Sequence, residues 1–478
     1  GGRRPGARAG MASVFFGLID SLSEGLEGAV TTIETEVDGA IQQLDAGVDL
    51  DDVLEEIGAA GSNAAALTAA YQRLEALARG QAPAVLRAWV VECRVVPTVC
   101  LALCRIESSR SAAGALARIL NGMGRALDQT EASPDELKAF AEQLVRHTEN
   151  GKAMLKLMQV EDLDTQTQGL ALLRRVYPHK SGDLGRHLLS DPESIAALMQ
   201  ILQSAGGSPW ALAGEEASAA ERGAAALCAE CVNFLRLVTE RDGHVRMIVV
   251  FQDGVEALLA IAAQALGTVQ STASGAFLGL AADACACVLQ LAGEGGVAQK
   301  LMRDNGQLAA VMRTLRCVLS ALAGAEAAAA AELEGLAATL LDVVATFLAA
   351  PEASERAASA RALVQGASLL EALGCEALPA AHVGPRAKLR AAEVLATALG
   401  AADEAVLQFL VVAPSGAHML DGLVGLLLAA DTPLPLRAAL EPLLANALAR
   451  STSVRDALTE ALEAADGGPP VEAEAPEP

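Results

Sequence analysis

One structural unit recurs along the middle of this 478-residue sequence, and it limits the folds that the chain can adopt. Each copy has a turn containing Gly or Pro, followed by a short helix whose apolar residues lie three and four positions apart. The copies begin at Asn150-Gly151, Asp191-Pro192, Asp253-Gly254, Asn305-Gly306, Gln365-Gly366 and Ser415-Gly416, between 41 and 62 residues apart. Because a unit of two or three helices cannot bury its apolar faces alone, the copies must stack on one another. The sequence therefore predicts an all-α fold, an armadillo/HEAT-like α-solenoid of stacked helical repeats.

A longer apolar helix and a short amphipathic bridge precede most copies. The long helices are predicted over Ala225–Val238, Ala281–Leu291 and Leu389–Leu399, and their bridges over Val245–Phe251, Val297–Met302 and Val406–Val411. The polar stretch Gly206–Glu221 is predicted to be a surface loop. Apolar residues make up 52% of the sequence and aromatic residues only 3%, which leaves Ala, Leu and Val to build a helical core. Tandem unrelated helical bundles are the alternative, but they would not repeat the same turn and helix.

Composition and pattern divide the chain into four parts. Residues 1–10 are predicted to be a non-native or disordered leader, because three Arg precede the first Met, at position 11. Residues 11–132 are an N-terminal helical region that begins with an acidic amphipathic helix, and residues 133–462 are the armadillo-like repeat array. Residues 463–478 are predicted to be a disordered, acidic, Pro-rich tail. A mitochondrial presequence is the alternative for the leader, but the residues after Met11 are strongly acidic.

Local signals predict further helices within the N-terminal region and at the start of the repeat array. The pattern predicts one helix over Ala64–Arg79 and another over Ala84–Arg105, with an interruption at Pro97. The array is predicted to open with a well-capped helix, because Ser133 is a favoured N-cap residue and Pro134 is favoured at the first helical position.

Apolar residues between Met11 and Ile57 recur in steps of four, three and four, which predicts one long amphipathic helix. This segment carries twelve Asp and Glu, and no Lys or Arg stands between Met11 and Gln72. A helix lying on a lipid surface is one interpretation, but an anionic membrane would repel so acidic a segment. We therefore predict that the stripe packs on protein, either within the chain or in a homodimer.

Charge and cysteine content restrict the partners and the compartment. A formal net charge of −24 repels nucleic acid and anionic lipid, so neither is predicted as a partner. Nine cysteines, an odd number without a regular framework, predict a reducing compartment. The longest uncharged stretch, Ala257–Ala282, contains several polar residues and is predicted to be two helices joined by a loop at Gly267–Gly275 rather than a transmembrane helix. Membrane association is therefore predicted to be indirect and peripheral.

The chemically reactive residues form no catalytic or metal-binding pattern. The histidines are His147, His179, His187, His244, His382 and His418, and none belongs to an HExxH motif. Cys228-x-x-Cys231 has the spacing of a redox or zinc pair, but Cys285-x-Cys287 has the wrong spacing for the second half of a zinc site, so packing as small apolar residues is favoured. No Walker-type loop or nucleophile elbow occurs. We predict no enzyme, no cofactor and no metal, and the partner-binding residues remain unassigned.

A peptide groove of the importin kind is also disfavoured. Such grooves use regular ladders of Trp and Asn, whereas this chain has only Trp89 and Trp210, at positions that do not follow the repeats.

Three successive segments carry a family resemblance. The block from Ile248 to Leu259 has an apolar run, then Phe251, Gln252 and Glu256, then an apolar helix. The next segments contribute Asp283, Cys285, Leu289 and Gln290, then Gln299, Leu301, Met302 and Gly306. Family segments are also resembled at Asn150, Leu155, Ser190-Asp191-Pro192 and Ala197-Leu198-Met199. In this order and spacing, Thr148–Leu462 resembles the armadillo-like globular head of the general vesicular transport factor family, the long coiled-coil tethers of Golgi traffic.

The sequence also departs from the family. Gly254 and Val255 stand where the family usually has Ala and Phe, and the family's Asn-rich positions are mostly Ala here. The family's long C-terminal coiled coil does not follow residue 462, so we interpret the chain as a fragment or a head-only relative. The role of the family's acidic end beyond that coil is not transferred to Glu472, Glu474 and Glu477.

The resemblance implies a non-enzymatic factor that tethers or docks vesicles in ER–Golgi and intra-Golgi transport, with the solenoid head as a protein-binding scaffold. It implies a cytoplasmic protein, peripheral on Golgi membranes and transport vesicles. The implied partners are a Rab-type small GTPase, SNAREs and golgins, and the family's parallel dimers support a homodimer. The alternative is a generic armadillo-repeat scaffold in another assembly, such as a ciliary or cytoskeletal complex.

Overall fold

The structure is a computed structural model, and it describes most of the chain beyond residue 49. The described residues are 50–60, 63–91, 95–103, 110–146, 148–207, 219–272, 275–293, 295–366, 368–401, 414–429 and 432–450, with isolated positions after 450. The predicted leader (1–10), most of the acidic stripe (11–57) and the predicted tail (463–478) lie outside these residues. Everything described is helix or short connection, which confirms the all-α fold class.

The chain divides into two compact units, Gly1–Leu157 and Met158–Pro478. The domain limits suggested by the sequence, at residues 132 and 462, stay a prediction.

The described part of the first unit consists of seven α-helices. They are α1 (residues 50–60), α2 (Ala64–Arg79), α3 (Pro83–Val91), α4 (Val95–Leu103), α5 (Arg110–Gln129), α6 (Pro134–Val145) and α7 (Thr148–Lys156). The predicted cap at Ser133 is confirmed: its hydroxyl accepts from the Glu136 amide, and the Glu136 carboxylate accepts from the Ser133 amide. This reciprocal capping box stabilises a helix start by about 1 kcal/mol.

One nearly buried carboxylate fastens α2 to α5. Glu75, only 9% exposed, accepts hydrogen bonds from Nε and Nη2 of Arg118 at 2.8 and 3.0 Å, and it also pairs with Arg79. Hydrogen bonding from Arg118 lowers the pKa of Glu75 below its ordinary value. A buried carboxylate held in this way supports the packing of two helices only while it stays ionised.

Two predictions in this unit were wrong. No interruption falls at Pro97, which is the third residue of α4, and residues 92–94 between α3 and α4 lie outside the described residues. Proline has no N–H group, and the N–H groups of a helix's first turn have no partner within the helix. Proline is therefore tolerated at this position. Asn150-Gly151 is not a turn and lies within α7, because Met154 and Leu155 must be held helical to reach the core, where both are at most 1% exposed.

The second unit contains the repeats. A 3₁₀ turn, Leu157–Gln159, leads from α7 into it. Its described helices are α8 (Leu163–Ser190), α9 (Pro192–Gly207), α10 (Ala219–Arg241), α11 (Gly243–Phe251), α12 (Gly254–Thr272), α13 (Gly275–Ala292), α14 (Gly296–Asp304), α15 (Gln307–Leu322), α16 (Ala327–Leu348), α17 (Ala353–Arg361), α18 (Pro385–Ala401), α19 (Pro414–Leu428) and α20 (Leu434–Arg450). Two π-helical segments, Ala362–Gly366 and Leu370–Ala377, follow α17.

Each repeat is a long helix, a short helix and a further helix. The triplets α10–α11–α12 and α13–α14–α15 have this form, and α16–α17 continues into the π-helical segments in the same way. The first long helix, α8, is interrupted at Lys180, whose φ of −138° is not helical, so its last part serves as the short helix before α9. The predicted long helices and two of their bridges are confirmed, while Val406–Val411 lies outside the described residues.

The helices of this unit lie in two layers. One layer holds the long helices α8, α10, α13, α16, α18 and α20, each packed on the next. The other holds α9, α12, α15, the segment Leu370–Ala377 and α19, again in chain order. The short helices α11 and α14 each pack against helices of both layers. A helix therefore contacts the preceding repeat, its own repeat and the following one, as in armadillo-type solenoids.

Turn residues set the start of the helices in the second layer, α9, α12 and α15. Asp191 is extended and directly precedes α9, Asp253 has a φ of 58°, and Gly306 has a φ of 73° before α15. A left-handed residue stops the short helix and redirects the chain into the next one. At Ser415-Gly416 the expected turn is wrong, because both residues lie in the first turn of α19.

The described residues of the uncharged stretch Ala257–Ala282 lie in two helices, as predicted, but the first helix extends into the expected loop at Gly267–Gly275. Helix α12 continues through Gly267 to Thr272, and α13 begins at Gly275. A single Gly costs only about 1 kcal/mol inside a helix, so the packed apolar face of α12 decides the outcome. Among the described residues no single helix has the length and apolarity to cross a membrane; one pair, Phe277–Ala292 and Gly296–Asp304, bent by 117°, meets the length and composition criteria together.

Candidate partner-binding site

The two cysteine pairs lie in the core of the second unit. Cys228, Cys231, Cys285 and Cys287 are each at most 1% exposed. Burial raises the pKa of the Cys228, Cys285 and Cys287 thiols to about 12, and it raises the pKa of the Cys231 thiol well above its ordinary value. Thiolates are the form that binds zinc and reacts with electrophiles, so this environment favours packing as small apolar side chains. Among the described residues no three His, Cys, Asp or Glu are grouped as metal ligands.

We expect the buried thiols to resist modification. At pH 8 a thiol with a pKa near 12 is ionised to only about 1 part in 10⁴, and burial also blocks access. Exposed Cys317 should react with a maleimide within minutes, while Cys228, Cys231, Cys285 and Cys287 stay unmodified until the chain unfolds. Peptide mass mapping reads each site separately. Dialysis against a chelator should leave the melting temperature unchanged, and a lost fold would instead indicate a zinc site.

The histidines are not brought together. His179 and His187 are half-buried on α8, and His244 and His382 are exposed on other elements. His147 and the side chain of His418 lie outside the described residues.

Residues that carry the family resemblance connect successive repeats. Asp283 of α13 lies 3.5 Å from Arg236 of α10, and Gln290 accepts a 2.8 Å hydrogen bond from Thr239 of the same helix. Gln299 of α14, 8% exposed, donates through Nε2 to the carbonyl oxygens of Ala292 at 3.0 Å and Thr346 at 3.3 Å. These polar side chains hold three long helices in register. Apart from the spacing of these residues, no sequence pattern indicates this role.

Gln299 provides a test of this connection. Replacing it with Leu removes both donated hydrogen bonds and leaves two carbonyl oxygens without that partner, so the free energy of unfolding should fall by about 1 to 3 kcal/mol. Urea denaturation followed by circular dichroism measures the change. The matched control is Gln203→Leu, because Gln203 is exposed and its one hydrogen bond, to the carbonyl of Gln252, is at the surface. Equal losses in the two variants would contradict the bridging role.

Ion pairs cross the layer of long helices at three of its steps. Arg174 binds Glu230 through Nε at 2.9 Å and Nη2 at 3.3 Å, and the corresponding pairs farther along are Arg236–Asp283 and Arg390–Asp342. The side chains are between 22 and 47% exposed, so each pair contributes at most about 1 kcal/mol. The layer of long helices therefore carries charged side chains that are paired between neighbouring helices.

A groove opens at the start of the second unit, between the 3₁₀ turn and helices α8, α9 and α10. Its volume is about 560 Å³. Buried apolar side chains form its floor: Met158, Ile201, Leu227 and Cys228. Exposed polar side chains form its rim: Glu161, Glu193, Gln200 and Ser204. A volume in the range of about 300–1,000 Å³ with an apolar floor and a few polar groups is typical of binding sites.

Local hydrogen bonds hold the groove walls in place. Asp162 caps α8 by accepting from the Thr165 amide at 2.9 Å, and Gln166 donates to the carbonyl of Met158, also at 2.9 Å. On the facing side, Gln159 donates to Asp191 and Ser194 at the start of α9. The turn and both helix starts are therefore tied together, so the groove is preformed. Sequence analysis missed this site, since its residues come from four separate elements.

The comparisons with known proteins concern the fold. Comparisons with protein-family models and with curated proteins give no match. Among solved structures, the crystal structure of Uso1-2 superposes with a TM-score of 0.63 at 13% sequence identity, and it covers 87% of this chain and 63% of that chain. The crystal structure of Uso1-1 superposes with a TM-score of 0.58 at 14% identity, and it covers 87% of this chain and 65% of that chain. The chain thus shares the fold of these structures and spans less than two-thirds of their length.

Proposed function

We propose that this chain is a non-enzymatic scaffold of the vesicle-tethering kind, acting in ER–Golgi and intra-Golgi transport. The observation that supports the proposal most is the superposition on two Uso1 structures over 87% of the chain, Uso1 being a yeast vesicle-tethering factor. The resemblance of Thr148–Leu462 to the general vesicular transport factor head points to the same family. Fold alone does not determine function, so the proposal rests on both together.

A scaffold of this kind works by position and not by chemistry. Two layers of helices present a long, rigid surface on which two partners are held side by side, which raises the effective concentration of each for the other. The ion pairs and buried amides between repeats keep the surface from rearranging. The partners proposed are a Rab-type small GTPase, SNAREs and golgins, and the protein is peripheral on Golgi membranes and transport vesicles, on the cytoplasmic side.

The test is selective recognition of an active GTPase. A panel of Rab-type GTPases is loaded with either GDP or a non-hydrolysable GTP analogue, immobilised, and incubated with the purified chain. We expect at least one member to retain the chain preferentially in the GTP form. The GDP form of the same protein is the matched control, since it differs only in the nucleotide.

Two results would overturn the proposal. Retention that is independent of nucleotide throughout the panel would remove the GTPase partner. Recovery of only axonemal or cytoskeletal proteins by proximity labelling in cells would favour the generic armadillo scaffold in a ciliary or cytoskeletal complex.

We also propose that the chain forms a homodimer through the acidic stripe between Met11 and Ile57. Light scattering of the chain with and without residues 11–57 measures the mass. Halving of the mass on deletion supports the dimer, and an unchanged monomer mass in both forms would assign the stripe to packing within one chain.

A further inference from the structure

The groove of the second unit is elongated, and its longest wall is one face of α9. Glu193, Ala196, Gln200 and Ser204 line it at steps of three and four residues, which places them on one side of the helix. From residue 193 to Ala205, the last lining residue of α9, the wall extends about 18 Å at 1.5 Å per residue. An elongated trough of this length matches about three turns of a helix laid along it.

The composition of the trough defines the chemistry of its occupant. Its floor is apolar, and the opposite wall adds Leu163, which is 41% exposed and remains available for contact. Its rim carries two exposed carboxylates, Glu161 and Glu193, and no Lys or Arg is found among the described lining residues. The rim therefore attracts a cationic segment, while the floor selects for apolar side chains.

We propose that this groove binds an amphipathic helical segment of a partner protein, with leucine-like side chains on its buried face and Lys or Arg along its edges. The apolar side chains enter between α9 and α10, above Ile201 and Leu227, and the basic side chains approach Glu161 and Glu193. Ala196 and Ala197 of α9 are small, and they leave the space that the helix backbone needs. This inference is independent of the tethering role, because it involves no GTPase and no membrane.

The test uses three fluorescein-labelled peptides of fifteen residues. The first has Leu at positions three and four apart and Lys elsewhere, the second has Glu in place of Lys, and the third has Ser in place of Leu. By fluorescence anisotropy the Leu/Lys peptide should bind. The Leu/Glu peptide should bind at least about 10-fold more weakly, because like charges face each other at the rim. The Ser/Lys peptide should lose binding, because it buries no apolar surface.

Variants locate the binding in the groove. Ala196→Trp fills the trough from an exposed position and should weaken the Leu/Lys peptide at least about 10-fold. Glu161→Gln with Glu193→Gln leaves the shape unchanged and should weaken it about 2- to 10-fold. The matched control is Glu256→Gln with Glu352→Gln, which removes the same charge from exposed positions elsewhere in the unit. Circular dichroism establishes that each variant is folded.

The control pair should leave the affinity unchanged, which supports the groove. The proposal is overturned if the control pair weakens the peptide as much as the rim pair, since binding would then reflect only the net charge. It is also overturned if folded Ala196→Trp binds as tightly as the parent chain. Should Ala196→Trp fail to fold, the comparison of the rim pair with the control pair decides alone.

Discussion

Replacing Phe234 with Ala is expected to lower the free energy of unfolding by about 3 to 5 kcal/mol. Phe234 lies on α10, is 1% exposed, and packs edge-on against Tyr177 of α8, with ring centroids 5.9 Å apart and ring planes at 88°. Removing the ring takes away this aromatic contact and leaves a cavity in the packed core between α8 and α10. Burial also raises the pKa of Tyr177 to about 12, consistent with a closed environment around this pair.

The chain supplies its own control for this change. Phe251, at the end of α11, is 59% exposed, so Phe251→Ala makes the same chemical substitution at the surface. Its cost should be within about 0.5 kcal/mol. Urea titrations monitored by circular dichroism measure both variants. Comparable losses at the two positions would contradict the packing described between α8 and α10.

The second large effect concerns Gly254, the first residue of α12. A Cβ built there would lie 2.4 Å from Cγ1 of Val249, 2.8 Å from its carbonyl oxygen and 3.1 Å from Cε of Met199. The carbonyl belongs to the backbone and cannot rotate away, so Gly254→Ala should cost about 1 to 3 kcal/mol. Thermal unfolding of the variant, compared with that of the parent chain, tests this.

A second glycine on the same helix should respond in the opposite direction. Gly267 has no atom within 4 Å of an added Cβ and is exposed. Gly267→Ala should therefore stabilise the chain by about 0.5 to 1 kcal/mol, through the higher helix propensity of Ala. If Gly254→Ala stabilised the chain instead, the short helix α11 would have to move away from the added methyl group at little cost in free energy.

This close contact concerns a position at which the chain differs from the family that its sequence resembles. The family's usual Ala at position 254 would meet Val249, so the Gly found here goes together with the bulky side chain opposite. Val255, where that family usually has Phe, is fully buried.

The repeat register was predictable because it depends on local chemistry. Asp253 and Gly306 adopt the left-handed conformation that stops one helix before the next, and such residues are recognisable in a sequence. The apolar spacing after each turn places the buried side chains correctly, as at Leu258 and Leu308. Asn150-Gly151 shows the limit of this approach, since the packing of the helix around it overrides the turn preference of both residues.

The candidate site was not predictable, because it depends on contacts between distant elements. Glu161 and Cys228 line the same groove although 67 residues separate them. Nothing in the local pattern around Cys228 distinguishes a residue on the floor of a groove from one deep in the core. Likewise the bridge from Gln299 to Thr346 follows from how α14 and α16 are placed, and a lone Gln in an amphipathic helix gives no sign of it.

The polar contacts between repeats share a narrow range of sequence separations. Arg174 and Glu230 are 56 residues apart, Thr239 and Gln290 are 51 apart, and Gln299 and Thr346 are 47 apart. Each of these three contacts, among the described residues of the second unit, joins elements about one repeat apart along the chain. During synthesis each repeat of the second unit can therefore dock as soon as about one more repeat has left the ribosome, and the array can be lengthened or shortened by whole repeats without altering the junctions that remain.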